Sequence, residues 1–185
     1  GFAEIILCPE TMGKIGQLGT LEEVLALCGV DRRITPCIDF GHLNARTLGG
    51  IRSKADYAAI LDRIGEALGD ERARQFHVHF SRIEYSKGGE KRHWTFAETQ
   101  FGPEPQPLME LLAERGLAPV IICESAGTQA EDAKTMKRFF EACLCTTSQS
   151  GLRPPAPLVG EPRPPLLGEV ASRRDDGEVW SVFFF

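Results

Sequence analysis

The alternation of short apolar runs with helical patterns constrains this chain more than any other feature. Four runs, "AEIILC" (3–8), "ITPCID" (34–39), "FHVHFS" (76–81) and "PVIICE" (119–124), are rich in Ile, Val or Phe and too short for helices, which reads as buried strand. The segments between them carry helical signals. "TLEEVLALCG" opens on Thr20 with Glu23 three residues on, a capping box, and closes at Gly29. "SKADYAAILDRIGEALGD" places Tyr57, Ile60, Leu61, Ile64 and Leu68 at helical spacing between Ser53 and Gly69. "PLMELLAERGL" stops at Gly116, and "TQAEDAKTMKRFFEACL" follows the fourth run. The order β-α-β-α-β-α-β-α predicts parallel strands with right-handed crossovers, buried on both faces. An open doubly wound sheet and part of an eight-stranded barrel both fit. The first strand lacks a following GxGxxG turn, which counts against dinucleotide binding.

In such folds function gathers at the C-terminal ends of the strands. The first run ends at Glu10, the second at Asp39 and His42, and the fourth at Glu124. The third offers His77, His79 and Ser81, whose shared parity points them to one face. The chain has four histidines, and the last, His93, follows the third run by a loop. One strand-end acid is ordinarily a helix cap, and one inward histidine an ordinary core residue. An acid or histidine at the mouth of all four strands is a ligand set for zinc or a harder divalent ion.

The net charge of −5 leaves no broad basic surface, so a polyanion would need metals or a local cluster of cations such as Lys14, Arg82 and Lys91. No apolar stretch is long enough to span a membrane, and no charged-then-apolar pattern opens the given sequence, so secretion is not expected. The six cysteines form no CxxC pair; Cys8, Cys37 and Cys123, inside apolar runs, are expected to be small buried hydrophobes in a reducing, cytoplasmic setting. Residues 1–145 read as one domain. In 146–185 the character changes: residues 151–167 hold six of the twelve prolines, and "VWSVFFF" closes the chain. This tail is expected to be disordered or non-native.

"CPETMGKIGQLG", "CIDFGHLNA", "HVHFSRIEYSKGGEKRHW" and "PVIICESAG" together resemble, in order and spacing, endonuclease IV and its relatives among the xylose isomerase-like TIM barrels, over residues 3 to about 143. The resemblance implies the C-terminal half of a (β/α)8 barrel, strands five to eight. The implied activity is zinc-dependent hydrolysis of the phosphodiester at abasic sites in DNA, with two or three ions. Carried over by position, Glu10 resembles the bridging glutamate and Asp39 and His42 the pair after the sixth strand. His77 resembles the histidine opening H-x-N-D-S-K, which puts His79 on its Asn as a neighbour of substrate or ligands. His93 resembles the histidine of D-x-H, and Glu124 the glutamate of the eighth strand, catalytic together with Glu10. Asn44, Ser81, Arg82, Glu90 and Lys91 are expected beside substrate or ligands. Two departures stand out: Lys91 occupies the aspartate of D-x-H, with Glu90 as the acidic substitute, and the first four strands are missing, so half a barrel on its own is expected to be inactive. The alternative within the same superfamily is a sugar isomerase or epimerase, with one Mn²⁺ or Mg²⁺ held by Glu10, Asp39, His77 or His79, and Glu124. A third possibility is an inactive fragment.

Overall fold

A computed structural model describes residues 5–74, 76–149, 170–173 and 179–183. Its central feature is a parallel sheet in sequential order. Strand β1 (Cys37–Asp39) pairs in parallel with β2 (His77–Phe80), with Asp39 beside His79. Strand β2 pairs in parallel with a later strand, Val120–Cys123. Between these two the chain makes an antiparallel hairpin of β3 (Arg82–Ser86) and β4 (Gly89–Trp94), so Val120–Cys123 is β5.

The first expected strand is reduced to two parallel bridges, Leu7 to Ile34 and Glu10 to Cys37. Leu7 N donates to Arg33 O, Thr35 N to Leu7 O, Cys37 N to Pro9 O and Thr11 N to Cys37 O, so a ladder is present without a continuous strand. Each parallel segment is followed by helix: α1 (Leu21–Cys28), α2 (Phe40–Arg46) with α3 (Lys54–Leu68), α4 (Pro105–Arg115) and α5 (Gln129–Gln149). This is the expected βα alternation.

Local chemistry sets the helix ends. Thr20 Oγ1 accepts from Glu23 N while Glu23 Oε2 accepts from Thr20 N, completing the capping box of α1. Pro105 supplies the preset φ at the first position of α4, and Gly116 ends that helix in the left-handed conformation at φ 62°. The core lies between sheet and helices: Ile38, Val78, Phe80, Ile121 and Cys123 from the strands meet Tyr57, Leu61 and Ile64 of α3, Leu108, Met109 and Leu112 of α4, and Met136 of α5.

Burial on both strand faces was expected, and the structure departs from that. On β2 and β5 the residues facing the helices are buried, whereas His77, His79, Val120 and Ile122 on the other face are half-buried. That face is the inside of the curved sheet, where the described residues provide no opposite wall. The edge segment 5–8 is exposed on both faces, so Cys8 is not buried as expected, while Cys37 and Cys123 are.

Two short segments of the tail lie among the described residues. Strands β6 (Val170–Arg173) and β7 (Val179–Phe183) form an antiparallel pair, and β7 pairs antiparallel with β5 through Ile121 and Ile122. The β-branched and aromatic "VWSVF" suits such pairing. The proline-rich run 151–167 lies outside the described residues. No helix among the described residues is long and apolar enough to cross a membrane.

Candidate metal centre

The parallel strands end together, and the polar residues of the second, third and fourth runs meet there. Asp39 shows how strand, helix and site connect. It is the last residue of β1 and the N-cap of α2, where its Oδ1 accepts from His42 N at 2.7 Å. The cap fixes the carboxylate, and Oδ2 is left buried with no hydrogen-bond partner among the described residues. Thr11 holds the same residue from the other side: its Oγ1 accepts from Asp39 N at 2.9 Å and donates to Asp39 O at 3.3 Å.

His42 stands one turn into α2. Its Nδ1 lies 2.9 Å from Thr11 O, which assigns the proton to Nδ1 and leaves Nε2 as the ligand atom. Around it stand Glu10 Oε1 at 3.2 Å, Asp39 Oδ2 at 3.3 Å and, on the Nε2 side, Glu90 Oε2 at 3.5 Å. His79 Nδ1 lies 3.3 Å from Glu10 Oε1 and 3.2 Å from Glu124 Oε1. These are ion-pair distances without hydrogen-bond angles, since His79 Nδ1 is buried and unpartnered among the described residues. The hairpin brings in His93, whose Nδ1 is 2.8 Å from Ser81 Oγ and 3.8 Å from Glu124 Oε2. Its Nε2 is 3.8 Å from Glu90 Oε1.

Three overlapping groups result, each with one ligand atom per residue and all such atoms within 4.8 Å of one another: Glu10, Asp39, His79 and Glu124; His42, His93 and Glu124; and Glu10, Cys37 and His79. A divalent cation fits this donor set. Two buried donors without hydrogen bonds among the described residues, Asp39 Oδ2 and His79 Nδ1, belong to residues of the first group, and four nitrogen and oxygen donors suit tetrahedral zinc, or a harder ion such as Mn²⁺ that adds water to complete six-coordination.

The electrostatics agree with that reading. Burial alone would push the Glu10 carboxyl up, but His42 and His79 outweigh it and hold it down to about 2. Burial works against a charged His42, yet Asp39, Glu10 and Glu90 bring it up to about 9. His79 is raised further, with burial opposing and Cys37, Glu10 and Glu124 raising it. Burial, ahead of its neighbours, raises Asp39, and burial raises the Cys37 thiol to about 11. A field of carboxylates strong enough to hold protons on two imidazoles, one buried and one half-buried, is one that attracts a cation in their place.

The metal-free protein therefore has a defined pH response. The folded pKa of His42 is raised from 6.5 to about 9, so its contribution is complete below 6.5 and lost as pH climbs through 9. That of Glu10 is lowered from 4.5 to about 2, so its contribution is complete above 4.5 and lost as pH falls through 2. In chelator the melting temperature is expected to be highest between these windows and to decline from pH 6.5 towards 9. A melting temperature that climbs across the alkaline range would contradict the pairing.

Several expected residues sit elsewhere. His79, not His77, reaches the cluster. His77 pairs with Cys37 one layer lower on β2, joins no ligand group among the described residues, and has its pKa lowered by burial. Arg82 does not face a groove. It is buried, donating to Phe101 O and to the Glu104 carboxylate. Asn44 is buried and accepts from Ile51 N. Lys91 pairs with Glu84, which also takes Arg92. Lys14 is exposed and bridges Gly89 through its backbone. Glu90 and Ser81 do reach the site, Glu90 beside both His42 and His93. Sequence reasoning missed Thr11 and Cys37 as site neighbours; Thr11 is brought in by its hydroxyl's bonds to the Asp39 backbone, which leave no spacing signal.

A family model described as xylose isomerase-like TIM barrel matches residues 3–143. An uncharacterized protein of Methanocaldococcus jannaschii, MJ0133, is 36% identical over 137 residues, covering 74% of this chain and 49% of that protein. The chain thus spans about half the length of the curated relative it matches. No solved structure matches it.

Proposed function

The chain belongs to the xylose isomerase-like TIM-barrel family, and from that premise we propose that its strand ends form part of a two-ion phosphodiesterase centre, acting on DNA at abasic positions in the manner of endonuclease IV. The observation that carries the proposal is the position of Glu124. Its Oε1 faces His79 at 3.2 Å and its Oε2 faces His93 at 3.8 Å, so one carboxylate joins two ligand groups. Glu10, Asp39 and His79 would hold one ion and His42 and His93 a second, with Glu124 shared between them. Glu90 stands beside the second group, an acidic substitute one residue before Lys91, which occupies the aspartate position of the family's D-x-H motif.

Bound divalent ions, zinc by the donor chemistry, would supply a hydroxide near neutral pH and neutralise charge on a phosphate. The chain's own residues do the rest. Thr11 O and Ser81 Oγ orient the His42 and His93 rings, and the Asp39 cap holds its free oxygen towards the centre. The half-buried inner face gives the substrate its approach, and the remaining strands of a complete barrel would close it.

A sugar isomerase with a single Mn²⁺ or Mg²⁺ has support in the first ligand group alone, which has the Glu–Asp–His–Glu composition such a site needs. It leaves the convergence of His42, His93 and Glu90 without a purpose, which favours the hydrolase. The test is to count ions per chain by elemental analysis and to assay both cleavage of an abasic duplex and aldose–ketose interconversion, in this chain and in a version carrying the full barrel. About two zinc ions with duplex cleavage by the full barrel is the expected result. One manganese with isomerisation would replace the proposal with the alternative.

A further inference from the structure

Arg46 ends α2, four residues after His42, and so lies on the same side of that helix. Its guanidinium donates to four carbonyls of one loop: Nη1 to Met12 O at 3.2 Å, Lys14 O at 2.8 Å and Gln17 O at 3.0 Å, and Nη2 to Ile15 O at 3.0 Å. A planar fork of donors is suited to gathering several acceptors into one fixed arrangement.

The loop held in this way is in turn attached to the hairpin. Glu90 N donates to Gly13 O at 3.0 Å, Ile15 N donates to Gly88 O at 3.2 Å, and Lys14 bridges Gly89. A Cβ at Gly13 would stand 2.6 Å from Glu90 Cβ and 3.0 Å from His42 Cδ2, so loop, helix and hairpin meet at one point beside the second ligand group. Glu10, by contrast, is set by its bridge to Cys37 in the sheet.

We propose that Arg46 is a positioning residue: by clamping residues 12–17 between α2 and the hairpin, it fixes Glu90 against His42 and His93 and so tunes the second ion's position without touching it. This rests on the two-ion reading above.

The experiment compares the 185-residue chain with Arg46→Met, Arg46→Lys and, as a control, Arg52→Met. Amide hydrogen exchange on the metal-free proteins is the first readout. The Met12, Ile15 and Glu90 amides are expected to exchange at least ~10-fold faster in Arg46→Met than in wild type, with strand amides such as those of β2 unchanged. Zinc titration is the second. The weaker of two binding steps is expected to lose roughly 10- to 100-fold in affinity, the scale for losing an outer partner, while the tighter step is kept. Lysine keeps the charge but cannot span four carbonyls, so it should fall between, and it carries both readouts if the methionine variant does not fold. Unchanged exchange, or two zinc affinities that are both unchanged or fall equally, overturns the role of Arg46 while leaving the two-ion reading in place. A wild-type chain that takes up only one ion overturns that reading, and this inference with it.

Discussion

Replacing Glu124 with glutamine is expected to cost more than any other single change in the site. The substitution keeps the shape of the side chain and its place at the end of β5, where Glu124 N donates to Phe80 O at 3.0 Å. It removes the charge shared by both ligand groups and puts an NH₂ where one oxygen faced an imidazole. Both ions should be weakened together, and zinc content should fall from about two towards zero. Losing several kcal/mol of charge stabilisation in the transition state corresponds to a drop of roughly a thousandfold or more in phosphodiester cleavage by a complete barrel. Elemental analysis and a cleavage assay on the same preparation decide it. A Glu124→Gln protein that keeps one ion at wild-type affinity would show that the carboxylate belongs to one group only.

The second large effect concerns the fold. Phe80 is fully buried on the helix side of β2, its ring 5.7 Å from Phe96 in an edge-to-face contact. It lies in the sheet between β1 and β5, so a cavity there touches several elements of the core at once. Phe80→Ala is expected to destabilise by about 3–5 kcal/mol, a large part of the roughly 5–15 kcal/mol that holds a typical domain together. The same substitution at Val120, on the half-buried inner face, should cost much less. Urea unfolding of the two variants side by side measures the difference. Equal losses would mean that the inner face is packed after all.

The sequence exposed the strand and helix order because the apolar periods are unambiguous and the caps are local: Thr20 with Glu23, and Gly116 after "AER", need no tertiary information. It exposed most of the site because parallel strands place their ends on one rim. Other features are set by contacts that spacing does not encode. Helix α2 has seven residues and follows β1 without a loop, too short for a period to be visible. Strand β4, "GEKRHW", has almost no apolar alternation, because Lys91 and Arg92 at its middle are exposed and Glu90 and His93 face the site, so it reads as a loop. The order of His77 and His79 is the clearest case. Parity gives the face, but height along the barrel depends on register, and register places His79 beside Asp39 and His77 beside Cys37. Two residues of strand amount to about 6.5–7 Å, enough to separate a ligand from a bystander. Arg82 misled for a related reason: its charge suggested a groove, while its partners Phe101 and Glu104 lie in a loop whose path the sequence does not reveal.

The contact between Gly13 and Gly89 has a consequence for descent. Gly89 has φ +92°, and a Cβ there would run into the carbonyl of Gly13, just as a Cβ on Gly13 would run into Glu90. Neither position can acquire a side chain while the other segment stays where it is. Two stretches of chain more than seventy residues apart are therefore tied as one heritable unit. In any set of descendants, lengthening or recolouring of the loop after Glu10 should be accompanied by a matching change in the hairpin tip.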